Sequence, residues 1–148
     1  MKNCLMLIIL LSGFSKLQGQ SPDRRAVYDA AMDYIQAMYK SEPSRIERSV
    51  YPEVVRRGYY WRGLDSAYSD LRTMNYDQII QWAKDWNKSL WLPADAPLKV
   101  DVYDVQDKTA AAKITAYWGT EYLQLAKLDK QWKIMNILWQ SPPQVKTY

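Results

Sequence analysis

Apolar positions recur at two different periods along this chain, and the change of period divides it. From Ser21 to Lys40, Val27, Ala30, Ala31, Tyr34 and Met38 fall at helical spacing, with Asp29, Asp33, Gln36 and Lys40 off the stripe. Ser21 suits the cap and Pro22 the first turn. Glu42-Pro43-Ser44 breaks the chain, and Arg45 to Val50 predicts a short second helix with Ile46 and Val50 inward, ended at Tyr51-Pro52. Val54 to Trp61 is rich in β-formers and predicts an extended segment. Gly63 to Asn75 reads as a loop, or an ordered lid. Asn75 with Gln78 forms a capping pair for a third helix whose stripe is Ile79, Trp82, Ala83, Trp86 and Leu90.

Beyond Pro93 and Pro97 the period falls to two. Leu98, Val100 and Val102 alternate with Lys99, Asp101 and Tyr103; Ala110 to Trp118 alternates in the same way. Gly119 interrupts, then Tyr122 to Leu128 and Trp132 to Trp139 follow across a tight turn at Asp129-Lys130. Helices first and then three or four antiparallel strands is an α+β pattern, with helices on one side of a sheet. In the last strand, Trp132, Ile134 and Leu138 point one way and Met135, Ile137 and Trp139 the other. Apolar residues on both faces imply that both are covered, one by helices and the other by a second subunit, so a homodimer through the sheet is expected.

The N-terminus has a different character. Lys2 is followed by the apolar run Cys4 to Leu11, and a small residue, Gly19, precedes Gln20. This is the anatomy of a cleaved export signal over residues 1–19, too short to remain as a membrane span. Cys4 stands at the start of the run rather than at the cut, which argues against a lipid anchor. The expected location is therefore periplasmic or secreted, with one domain over residues 20–140 and a loose tail over 141–148.

Composition narrows the chemistry. Lys2 and Lys16 lie in the leader, so 18 of the 20 basic residues face 16 acidic ones in the rest of the chain. They are spread without a stripe, which excludes nucleic acid as an expected partner. The chain has no His, and its one Cys falls in the leader, so Ser-His, Cys-His, thiolate-metal and His-metal devices are excluded from the domain; neither a metal nor a cofactor is expected. Seven Trp and twelve Tyr, against one Phe in the leader, supply apolar bodies with polar handles and suit a partly wet pocket or interface.

Glu121 to Trp139, EYLQLAKLDKQWKIMNILW, resembles the closing hairpin of the putative lumazine-binding family. Val50 to Arg57 resembles that family's His-Pro-acidic-apolar-x-basic-Arg run, and Leu71 to Met74 its segment before the third helix. The resemblance covers residues 24–140. Tyr51 stands where the run commonly has His, and Lys130 where the turn commonly has Gly. The resemblance implies a cone of the nuclear transport factor 2-like, SnoaL-like kind: a curved antiparallel sheet wrapped around a long first helix, with a cavity at the wide end. Similar cones serve as isomerases, dehydratases, polyketide cyclases and binding modules.

Within such a cone the candidate ligand-binding residues are Tyr34 on the inner helical stripe, Tyr51 at the helix-to-strand corner, and Arg56, which alternates with Arg57. Asp101 shares a strand face with Lys99; Trp118 and Tyr122 flank the Gly119 bend. Asn136 is the one polar residue among the apolar positions of the last strand, where a buried amide would need a partner. The leading expectation is a domain that binds a small organic ligand. A cone-fold enzyme is the alternative, with Asp101 or Glu121 as base and Tyr34, Tyr51 or Tyr122 as donor. Lys99 would keep Asp101 ionised and wet, and Glu121 would sit near a rim, so catalysis is the weaker expectation. A third reading is an interaction module whose aromatic sheet face docks a protein.

Overall fold

The structure is a computed structural model that describes residues 21–143. Helix α1 (Pro22–Tyr39) starts where the Ser21 hydroxyl accepts from the Arg24 amide at 3.2 Å, and buries Val27, Ala30, Ala31, Tyr34, Ile35, Ala37 and Met38 along one face. Helix α2 (Ser44–Ser49) is one and a half turns, pinned to α1 because Asp33 accepts from both Arg45 and Arg48 at 2.6–2.8 Å. Helix α3 (Tyr76–Asp85) carries the predicted Asn75–Gln78 capping box, both bonds made. It stops short of Leu90. Asn87, buried after the helix, donates to the Tyr39 carbonyl and accepts from the Leu92 amide, which turns the chain away and leaves Leu90 exposed.

Six strands form one curved, mixed sheet. In chain order they are β1 (Val50–Tyr59), then β4 (Arg72–Met74), β5 (Leu98–Val105), β6 (Thr109–Ala116), β7 (Gly119–Leu128) and β8 (Gln131–Gln140), after a small separate hairpin of β2 (Trp61–Arg62) and β3 (Ala67–Tyr68). The spatial order is β4-β1-β8-β7-β6-β5, with α1 packed across β5, β6 and β8. The α+β cone is as expected; the all-antiparallel sheet is not. Strand β1 lies parallel to β8, a pairing between distant segments that strand-forming character alone does not reveal. Strand β1 also begins four residues earlier than expected. Tyr51-Pro52 sits inside it, where the β1–β8 register shifts between Val50 and Val55, so no ladder bond is asked of the proline. The expected loop over 63–75 contains β3 and β4.

The expected facing of the last strand is corrected by a bulge. Gln124 pairs with Asn136 and Leu125 with Ile134, so Met135 is an extra residue and the alternation resets across it. Trp132, Ile134 and Ile137 consequently all point inward, and Leu138 points out, exposed. The two-residue turn Asp129-Lys130 holds both residues at positive φ, 46° and 66°, the geometry of a hairpin turn usually filled by Gly or Asn.

Candidate functional site

The inward faces of β1 and β7 each carry one ionised residue among apolar neighbours. On β7 the inward set is Gly119, Glu121, Leu123 and Leu125; on β1 it includes Val54, Arg56 and Gly58. Strand β8 lies between them, so Arg56 reaches over it to Glu121. Arg56 Nε and Nη2 donate to Glu121 Oε1 at 2.9 and 2.5 Å, and Trp118 Nε1 donates to the same oxygen at 2.9 Å. The guanidinium lies over two indoles, Trp139 at 4.1 Å and Trp82 at 4.7 Å, and Nη1 approaches Met74 Sδ at 3.4 Å. Gly58 makes this possible: a Cβ there would meet the Trp139 carbonyl at 2.0 Å and its Cδ1 at 2.4 Å.

Arg56 and Glu121 are 3% and 0% exposed, which means water plays no part in screening the pair. Burial alone would pull the Arg56 pKa down; the Glu121 charge, Tyr34 and the Glu121 hydrogen bonds together offset this and hold it above its usual value. Tyr34 completes the cluster from α1. Burial, and next the Glu121 charge, push its phenol well above the ordinary tyrosine value. Its hydroxyl makes no well-formed hydrogen bond, and neither does Glu121 Oε2. Two buried polar atoms in the field of one ion pair are an unusual feature in a packed core.

On the other side of Trp118 is a cavity of about 270 Å³, lined by Trp61, Trp86, Trp91, Tyr117, Trp118, Ser141 and Pro142. One wall is continuous: Trp86 meets Trp91 at 4.7 Å and Trp118 at 5.1 Å, and Trp91 meets Tyr117 at 5.4 Å, all edge to face. Tyr39, at the end of α1, braces this wall. Its ring stacks on Trp86, and its hydroxyl accepts from the Tyr117 amide at 2.8 Å and donates to the Pro97 carbonyl at 2.5 Å. Trp61 comes from the β2–β3 hairpin and packs on Tyr68 instead. Ser141 ties that hairpin down, accepting from the Trp61 amide at 2.7 Å and donating its own amide to Tyr59. A larger groove of about 530 Å³ lies on the outer face of the sheet, along Lys113, Thr115, Tyr122 and Gln140.

The expected site residues therefore separate. Trp118 lines the Trp cavity. Arg56 and Tyr34 lie sealed behind it, with Glu121, which is fully buried rather than near a rim. Tyr122 points outward into the other groove. Asp101 is on the outer face, 3.0 Å from Lys99 and 4.0 Å from Lys113. Tyr51 is half-buried and lines neither space. Asn136 is not the buried amide expected: the bulge at Met135 turns it outward, exposed, donating to Gln124 at 3.2 Å. Ser141, assigned to a loose tail, is held by the hairpin; residues 1–20, with the export signal, and 144–148 lie outside the described residues. Trp61, Trp86, Trp91 and Tyr117 were missed as lining. The abundance of Trp was the available signal, but the third-helix stripe read equally well as core.

Comparison with known proteins gives a consistent picture. No curated protein matches the chain. Among solved structures, a nuclear transport factor 2-like protein of Silicibacter pomeroyi DSS-3 superposes with a TM-score of 0.62 at 16% identity, covering 80% of this chain and 94% of that one. A cystatin-like fold protein of Burkholderia xenovorans LB400 gives 0.56 at 17%, covering 85% and 96%. A ketosteroid isomerase-like protein of Erwinia carotovora atroseptica SCRI1043 gives 0.53 at 12%, covering 82% and 98%. At these identities the likeness shows the fold alone. The family model described as putative lumazine-binding matches residues 22–140, the whole of the sheet and all three helices. On that match the chain belongs to the putative lumazine-binding family, and its fold is nuclear transport factor 2-like.

Proposed function

We propose that this domain binds a small organic molecule in the Trp-lined cavity beside Trp118. The observation that carries the reading is the convergence there of Trp61, Trp86, Trp91, Tyr117 and Trp118 on one space of about 270 Å³, an aromatic-walled space with polar groups among its lining. The family's description, which points to a heterocyclic ligand, supports it. Native mass spectrometry of the purified protein and titration of Trp emission with lumazine, flavin-like and apolar compounds test it. A co-purifying mass or saturable quenching is the expected result. A blank spectrum and flat titrations across the panel would favour the interaction-module reading.

A second reading, acid–base catalysis, has one observation in its favour: Glu121 is fully buried, with Oε2 unbonded and Tyr34 beside it. Against it, Oε1 is saturated by three donors and Arg56 neutralises the charge, while Trp118 stands between Glu121 and the cavity. Binding without chemistry is the better account.

The domain works outside the cytoplasm, on the strength of the leader, and as a homodimer. Exposed Tyr122 and Leu138 on the outer sheet face support the second point. No helix among the described residues is long and apolar enough to cross a membrane. Intact mass of the exported protein should lack about twenty residues, and sedimentation should report twice the mature chain mass; retention of the leader or a monomer would overturn the respective point.

A further inference from the structure

Resting on the binding reading above, and supplying how that site is regulated, we infer that the Trp cavity is completed by a second copy of this chain. The copy seats on the outer sheet face and holds the wall that the cavity shares with the outer groove. Ligand and partner then tighten each other's binding by the same factor.

The shared wall is the first observation. Tyr117, Ser141 and Pro142 line both the Trp cavity and the outer groove. Their backbone is fixed from within the protomer: the Tyr117 amide donates to the Tyr39 hydroxyl at 2.8 Å, and the Ser141 amide to the Tyr59 carbonyl at 3.0 Å. The outer side is not fixed. The Tyr117 ring meets Trp91 edge to face at 5.4 Å yet stays 47% exposed, and Ser141 and Pro142 belong to no strand. One side of the binding site therefore depends on whatever covers the groove.

The second observation is the character of the face around that groove. Its outward residues on β7 and on β8 beyond the bulge are Thr120, Tyr122, Gln124, Asn136, Leu138 and Gln140, none of them charged. The neighbouring Lys113 of β6 has Asp101 at 4.0 Å. Depletion of charge around exposed aromatic and aliphatic side chains is the composition of an interface centre. It also selects the occupant. A two-fold interface lays a patch against itself, so a charged centre would repel its own copy. Hydroxyl and amide side chains both donate and accept, and can pair with their own kind.

The third observation is extent. Strands β1, β8, β7, β6 and β5 run eight to ten residues each. At ~3.3 Å per residue and ~4.8 Å between strands they present a face of about 700 Å², close to the ~800 Å² that each partner contributes to a stable interface.

The test compares the wild type with Leu138→Lys, which sets a like charge against itself across a two-fold interface at a residue that does not line the cavity. Far-UV circular dichroism establishes that the variant is folded, and dilution of the wild type supplies a monomer without any substitution. Sedimentation should give a dimer for the wild type and a monomer for the variant. Acrylamide, a small neutral quencher, then reports access to the cavity, with Trp91 isolated by subtracting the emission of the matching Trp91→Phe protein. Trp91 lines the cavity and not the groove, so a partner that merely covered the groove would leave it unchanged. Trp91 should be quenched freely in the monomer and lose most of that quenching in the dimer. Lumazine, used as a probe, should bind the dimer about tenfold more tightly than the monomer. A monomeric wild type, a Leu138→Lys protein that still dimerises, equal Trp91 quenching in the two forms, or equal lumazine affinity would each overturn this inference alone. Lumazine that binds neither form counts against the binding reading, and the acrylamide comparison still decides this one.

Discussion

Replacing Glu121 by Gln keeps the shape of the side chain and removes its charge, leaving Arg56 buried and unpaired. Both residues are almost wholly inaccessible, so the loss is not softened by water. Breaking a buried pair from one side costs about 3–5 kcal/mol. The indoles of Trp139 and Trp82 go on shielding the guanidinium, which favours the lower end of that range. With about 2.1 cal/mol/K of unfolding entropy per residue over roughly 120 residues, the melting temperature should fall by on the order of 10–20 °C. Removing both charges, as in Arg56→Met with Glu121→Leu, should cost far less than the sum of the single changes, because neither variant charge is then stranded. Thermal and urea melts followed by circular dichroism provide the assay, with an unchanged m-value as the sign that the denatured state is not involved. A Glu121→Gln protein that melts within about 3 °C of wild type, or additive double-variant losses, would refute the idea that this pair is a coupled, dry unit.

Three further outcomes follow from local geometry. Tyr34 has a raised phenol pKa, so the native state keeps its proton where the unfolded chain, near pH 10, gives it up; its contribution is whole below about pH 10 and is lost as pH climbs, and Tyr34→Phe should lower the alkaline slope by one proton, about 1.4 kcal/mol per pH unit, in urea melts between pH 10 and 12. Lys130→Gly relieves a left-handed residue in the β7–β8 turn and should stabilise by about 0.5–1 kcal/mol at equilibrium; a loss would show that the Lys130 side chain has a role of its own. Gly58→Ala drives a Cβ into the Trp139 carbonyl and should cost about 3 kcal/mol, read as a fall in the urea midpoint.

The helices and most of the strands could be read from period and punctuation, because those signals are local. The capping box at Asn75 and Gln78 and the turn at Asp129-Lys130 are instances where each residue type states its own geometry. What failed were features set by distant pairing. One bulge at Met135 changed the facing of Asn136 and Leu138, and bulges have no composition signature in an apolar strand. The parallel β1–β8 contact brought Arg56 over to Glu121, turning a residue expected to face a ligand into half of a buried pair. Glu121 itself could have been placed, since it shares its strand face with Leu123 and Leu125. The cavity was the least legible part. Trp61, Trp91 and Ser141 come from a short hairpin, a loop and the end of the last strand, and only the fold brings them together.

The central claim is that a small organic molecule occupies the Trp cavity and not the larger outer groove. A crystal structure of the protein with a compound that quenches its Trp emission saturably tests it most directly. The account predicts density between Trp61 and the Trp86–Trp91 wall. Density confined to the outer groove along Lys113, Tyr122 and Gln140, with the Trp cavity unchanged, would contradict it.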